Sequence, residues 1–243
     1  MPRRDFIKQV YNFILDLIFP IECLGCGKEG EYLCKTCLNS IELMDKPSCP
    51  VCGRPSFQGK VCVKCQKDSA LEGVVAAVDY QKDNLLQKVL HIYKYRFVSD
   101  MHKFLSRLLF RYLERSDIRC ELFDNAKDTL IIPVPLHKQR LRWRGFNQSE
   151  LLAQDLSDYL GSEINSKALI RSRKTEPQMT LKGKERRKNV KEVFECVDTV
   201  RVKDRNIILI DDVCTTSSTL NECAKVLKDA RSGKVWGVVV ARG

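Results

Sequence analysis

Histidine is scarce in this chain, with three in 243 residues, and no metal spacing joins His91 and His102, which read as surface or packing residues. Long apolar runs are missing as well. The opening MPRRDFIKQVYNFILDLIFPIE comes nearest, but Lys8 and Asp16 interrupt it, no small-residue cleavage site follows, and it is too short to span a membrane. Neither a secretory signal nor a spanning helix is therefore expected. Phe6, Val10, Phe13, Ile14 and Leu17 share one helical face, so residues 1–22 are expected to form an amphipathic helix. Few basic residues on its polar face favour docking on the rest of the protein over lying on a membrane surface. Acidic residues are in deficit: 31 Asp and Glu against 42 Lys and Arg leave a formal charge of +11. With 44% apolar and 30% charged residues the chain is an ordinary folded one, and the cationic excess points to a polyanionic partner, nucleic acid or phosphorylated small molecules.

Cysteine is the exception to this scarcity. Without a secretory signal, the twelve cysteines are read as thiols in a reducing cytoplasm. Eight form four C-x-x-C pairs: Cys23 and Cys26, Cys34 and Cys37, Cys49 and Cys52, Cys62 and Cys65. A two-residue gap lets both thiolates of a pair point at one tetrahedral ion, so four pairs make two zinc sites. Residues 23–68 are thus expected to be a double zinc ribbon. Each site is closed by four sulfurs, which makes the two Zn²⁺ ions structural. Sequential pairing and an interleaved arrangement both satisfy the spacing. Cys120, Cys196, Cys214 and Cys223 are scattered and read as packing residues.

Residues 71–243 carry the pattern of an α/β domain with a parallel sheet. Gly73 to Tyr80, Thr129 to Val134 and Lys234 to Ala241 read as buried strands, and helices are expected near Leu85–Tyr93, Met101–Leu113 and Asn147–Leu160. The domain is organised around Asn206 to Ala230. Ile207 to Ile210 read as a strand buried on both faces. Asp211 and Asp212 follow at its carboxyl end, and then a hydroxyl run, Thr215, Thr216, Ser217, Ser218 and Thr219, feeds a helix. A helix N-terminus with hydroxyl donors suits a phosphate. Carboxylates beside it would repel that phosphate but accept hydrogen bonds from sugar hydroxyls. A ribose 5-phosphate meets both demands, and the crevice beyond the strand ends is where open α/β sheets bind ligands.

Two further segments are basic. Lys138, Arg140, Arg142 and Arg144, interleaved with Trp143 and Phe146, are expected on a loop before the helix at Asn147, where they could grip diphosphate or a nucleic-acid backbone with bases stacked on the aromatics. Between Arg171 and Lys191 nine basic residues, including Arg173, Arg186 and Arg187, stand against two acidic ones. Pro177 and Gly183 break that stretch, and it reads as a flap closing on anions.

The Asp211 to Thr219 segment resembles the phosphoribosyl-diphosphate (PRPP) loop of type I phosphoribosyltransferases. The family pattern is acidic-acidic-apolar-x-Thr-Thr-Gly-x-Thr, and here Ser217 stands at the glycine position, where a serine takes positive φ only with strain. The chain as a whole resembles the ComF family of competence-associated phosphoribosyltransferase-like proteins. The resemblance rests on Phe19-Pro20, the eight cysteines, Pro133 to His137 with Arg140 and Arg144 to Gln148, then Arg173, Thr175, Gln178, Leu181, Glu185, Arg186 and Asn189, and finally Asp211 to Thr219.

It implies a type I phosphoribosyltransferase-like sheet with helices on both faces, preceded by the ribbon. Asp211 and Asp212 would hold the ribose of PRPP, with Mg²⁺ as its companion, and Thr215 to Thr219 the 5-phosphate. It implies a cytoplasmic protein handling single-stranded DNA during natural transformation, with a competence helicase or DNA-processing protein as partner and peripheral association with the inner membrane. The alternative is an active, amidophosphoribosyltransferase-like enzyme moving phosphoribosyl from PRPP to a nitrogen acceptor. No residue stands out as a catalytic base, so none is assigned.

Overall fold

A computed structural model describes residues 21–80, 83–95, 99–115, 128–172 and 193–243. The chain divides into two compact units, residues 1–42 and 43–243. Among its described residues, the smaller unit holds a short helix, α1 (Lys35–Ser40), whose N-cap Cys34 accepts from the Cys37 N–H, and an isolated antiparallel bridge between Glu22 and Glu29.

The larger unit is built on five parallel strands: β1 (Gly73–Asp79), β2 (Thr129–Pro133), β3 (Glu163–Ile164), β6 (Asn206–Cys214) and β7 (Val235–Arg242), in the order β1-β7-β6-β2-β3. Every residue of β2, and Gly73 to Val78 of β1, is buried. These continuous apolar runs follow from a parallel sheet covered on both faces. One set of alternate residues, including Ile207, Leu209, Val235 and Val239, packs against Leu220, Cys223, Ala224 and Leu227 of α7 (Ser218–Asp229). Alternation turns Ile208, Ile210 and Val238 to the other face, where α3 (Met101–Arg115) and α5 (Gln148–Leu160) cover the sheet. Asp155 of α5 accepts from Ser106 Oγ at 2.6 Å and lies 2.6 Å from His102 Nδ1 of α3, which ties the two helices together.

Further helices are α2 (Asn84–Tyr95), α4 (Lys138–Arg144) and α6 (Thr199–Val202), and β4 (Leu169–Arg171) pairs antiparallel with β5 (Phe194–Cys196). Residues 43–72 belong to the sheet's own unit. Val61 N–H donates to Glu72 O at 2.8 Å and Met44 N–H to Ala77 O at 2.7 Å. Gly59, at φ 74°, lies so close to β1 that any Cβ would strike the Val74 carbonyl, which only glycine avoids.

Three features differ from the sequence reading, and one part of it is not described. The strand β6 continues through Asp211 and Asp212 to Cys214, because Val213 and Cys214 find partners in Ala241 and Arg242 of β7, which runs one residue further than expected. The basic segment after Pro135 is a helix, α4, ended by Gly145 in the left-handed conformation at φ 80°. The short strands β3, β4 and β5 were not expected. Finally, the amphipathic helix, the 173–192 part of the basic flap, and Cys120 lie outside the described residues.

Candidate functional site

The two cysteine quartets are the plainest chemistry. Cys23, Cys26, Cys34 and Cys37 bring their sulfurs within 4.8 Å of one another, and so do Cys49, Cys52, Cys62 and Cys65. Pairing is therefore sequential. A tetrahedron of Zn–S bonds near ~2.3 Å sets sulfurs roughly 3.8 Å apart; Cys26 Sγ to Cys34 Sγ is 3.8 Å and Cys52 Sγ to Cys62 Sγ is 3.7 Å. Backbone N–H groups aim at the sulfurs, Cys34 N–H at Cys23 Sγ (3.3 Å) and Cys62 N–H at Cys49 Sγ (3.4 Å).

Burial pushes the Cys23 and Cys49 thiols up, but backbone donors outweigh it and bring each down to about 6. Hydrogen bonding to Cys34 and Cys62, respectively, with burial, pushes Cys37 and Cys65 up to about 12. Such quartets resist full ionisation until a cation shares the charge. The residues fit two structural zinc ions.

At the carboxyl end of β6 the acidic pair splits by alternation. Asp212 is buried and its Oδ2 lies 2.9 Å from Lys94 Nζ of α2. Asp211 Oδ1 accepts from Ser149 Oγ of α5 and from the Asp212 N–H, each at 2.9 Å. Burial first, then repulsion from Asp212, pushes the Asp211 carboxyl up to about 7, although Lys94, Ser149 and the Asp212 N–H pull it down. Asp211 thus changes its charge close to neutral pH.

The loop after β6 turns through Ser217, at φ 55°, into α7. Asp211, Val213, Cys214 and residues 215–220 line one cavity. Thr216 and Ser218 hydroxyls are hydrogen-bonded at 2.9 Å, and Asn221 N–H closes the first helical turn on Ser217 O. A buried Ser217 spends its hydroxyl elsewhere, 3.1 Å from Pro50 O and 3.2 Å from Cys214 Sγ.

Cations ring the pair. Burial lowers the Lys94 pKa, the charge and hydrogen bond of Asp212 outweigh it so that the net shift is upward, and Arg144 of α4, which donates to Gln148 Oε1 at 2.8 Å, opposes that rise by its charge. Arg171 of β4 lies over the Phe194 ring, and burial and the charge of Arg140 both lower its pKa. Arg142 is exposed, and Trp143 is 54% exposed. Arg144 thus lies within charge range of Lys94 and Arg140 within charge range of Arg171, while Arg142 and Trp143 are exposed. Arg173, Arg186 and Arg187 lie outside the described residues. The sequence reading missed Lys94 and Ser149. Ser149 follows a capping Asn147 in the GFNQS run, which marks a helix start, whereas nothing local distinguishes Lys94.

Residues 14–66 match the double zinc ribbon domain family, so the two quartets form a double zinc ribbon. Over 217 residues the chain is 36% identical to the DNA utilization protein YhgH of Escherichia coli O157:H7, covering 88% of this chain and 91% of that protein. It is also 30% identical over 233 residues to Competence protein F of Haemophilus influenzae, covering 92% and 98% of the two chains. The chain belongs to the ComF family. Competence protein ComFC of Bacillus subtilis is 29% identical over 220 residues, 82% of this chain and 79% of that one. ComF membership joins the ribbon and the parallel-sheet domain in one family, and the ribbon's second quartet lies within the sheet's own compact unit.

Proposed function

We propose that the chain binds PRPP, with Mg²⁺, at the carboxyl end of β6 and handles single-stranded DNA during DNA uptake, in the cytoplasm. The observation that carries the ligand is the placing of Asp211 and the 215–219 hydroxyl loop around one cavity at the start of α7. A 5-phosphate takes the loop amides and hydroxyls, and ribose hydroxyls donate to the carboxylates. Arg140 and Arg144 would hold the diphosphate, and the Mg²⁺ it carries would offset its charge. Support for the DNA half comes from the +11 charge, the exposed Arg142 and Trp143 of α4, and relatives named for competence and DNA utilization.

The ligand half has a pH signature. Asp211 carries a proton below about 7 and must lose it to accept a hydroxyl hydrogen bond as a carboxylate. Affinity for PRPP is expected to rise about tenfold between pH 6 and pH 8 beyond any change in an Asp211→Asn variant, measured by calorimetry. Equal pH profiles in the two proteins would remove Asp211 from ribose recognition.

The DNA half is tested by anisotropy of a labelled single strand. Trp143→Ala should weaken binding about tenfold, within the usual worth of one stacked base, and Arg142→Ala should reduce the salt slope by about 0.7. Unchanged affinity in the first and an unchanged slope in the second would move the strand off α4.

A further inference from the structure

The ribbon's second quartet and the phosphate loop are one structure. Pro50 lies inside the knuckle between Cys49 and Cys52, and its carbonyl accepts from Ser217 Oγ at 3.1 Å across 167 residues of sequence. Arg242, at the end of β7, sends Nη1 to Ser48 O and Nη2 to Cys49 O at 2.9 Å. The same Arg242 is the ladder partner of Cys214, the residue at the base of the loop, and Gly243 N–H donates to Cys214 O at 3.1 Å.

On the helix side, Asn221 Oδ1 of α7 accepts from Ala70 N–H at 2.9 Å and from Ser69 Oγ at 3.3 Å, just past the quartet's other end. Cys49 and Cys65 share a hydrophobic core with Cys214, Leu220 and Cys223. The residue before the loop, its turning point and the helix after it are each anchored to the segment that the metal ligands pin.

Ser217 sharpens the point. A non-glycine residue at φ 55° is held in a conformation it disfavours, and only surrounding contacts keep it there. Its hydroxyl makes no capping bond to α7. It reaches the knuckle instead, a bond that the glycine of the usual PRPP loop cannot make. Serine here exchanges backbone ease for attachment to the metal site.

We infer that the Cys49, Cys52, Cys62 and Cys65 site is a metal-controlled clamp on the phosphate loop, with Ser217 as the positioning residue that transmits it. This rests on the sugar-phosphate reading only for the identity of the ligand. Zinc at this quartet and an anion in the loop then favour each other, and loss of the metal by chelation releases the loop. The first quartet belongs to the other compact unit and serves as the control.

The test uses the full zinc-loaded chain and two variants at exposed cysteines, Cys52→Ser in the clamp and Cys26→Ser as control. Hydrogen exchange over residues 214–221 is expected to quicken about tenfold in Cys52→Ser, within the usual range of coupling between sites, and to stay unchanged in Cys26→Ser. Equal protection in both variants overturns the clamp, whether or not PRPP binds.

Should Cys52→Ser fail to fold, linkage supplies the second arm, because coupling between two sites is reciprocal. Starting from Cys26→Ser protein, saturating PRPP should slow chelator extraction of the remaining zinc about tenfold, and adding Ser217→Gly should abolish that protection. Protection that survives Ser217→Gly overturns the role of Ser217. Coupled exchange in a protein that shows no PRPP binding would leave the clamp standing and refute the sugar-phosphate ligand.

Discussion

Replacing Asp211 and Asp212 together by asparagine should lower PRPP affinity at least about a hundredfold, because two charge-assisted hydrogen bonds worth about 1.5–3 kcal/mol each become weaker neutral ones. Single-strand binding should stay within about twofold if, as proposed, the exposed surface of α4 carries that contact, because mutations at sites with no shared partners act independently. Asparagine matches aspartate in shape but leaves Lys94 without its carboxylate partner, so a thermal melt and a zinc assay of the variant first establish that β6 and the ribbon are intact. Calorimetry with PRPP and anisotropy with a labelled strand separate the two outcomes. Equal loss of both activities would mean one shared site; intact PRPP binding would place the ligand elsewhere.

The second large effect concerns Lys94. Asp212 is buried beside Asp211, and Lys94 lies 2.9 Å from it, at 26% side-chain exposure. Lys94→Met leaves two adjacent carboxyls without this cation. Removing one partner of a buried pair costs on the order of 3 kcal/mol, a fall in melting temperature of several degrees for a unit of this size. The sign of the pH dependence is fixed by Asp211. Its folded pKa is raised to about 7, so the folded state binds extra protons between the ordinary carboxyl range and pH 7, and stability from this group falls as pH rises through that window. Without Lys94 the fall steepens. The difference in stability between wild type and Lys94→Met should therefore be larger at pH 8 than at pH 5, by denaturant melts at each pH. A constant difference would mean that Lys94 contributes packing alone.

These outcomes reflect which parts of the molecule are legible in sequence. The parallel sheet is, because a strand buried on both faces must be apolar throughout, as at Ile207 to Ile210 and Val238 to Val240. The cysteine quartets are, because two thiolates of one turn must share an ion; their sequential pairing is not, since both arrangements satisfy the same spacing. The end of β6 was placed at Ile210 because two carboxylates interrupt the apolar run. It lies at Cys214 because Lys94 and Ser149 satisfy those carboxylates within the sheet's edge, and neither partner is near them in sequence.

The same distance hides the Ser217 contact with Pro50. Ser217 could be recognised as a strained stand-in for glycine, yet its partner is set by how residues 43–72 pack against β1 and β7. The charge of the α4 segment and the Gly145 that follows it read as loop. Charge does not prevent a helix of Lys, Gln, Arg, Leu and Trp, and the glycine serves as its C-cap.

One titration tests the central claim most directly: PRPP with Mg²⁺ into the zinc-loaded protein, by calorimetry, with and without a bound single strand. A saturable one-to-one isotherm in both conditions, lost in the Asp211 and Asp212 variant, is the predicted result. Heat from the single strand alone, with none from PRPP, would contradict it and leave the sheet domain as a scaffold for DNA.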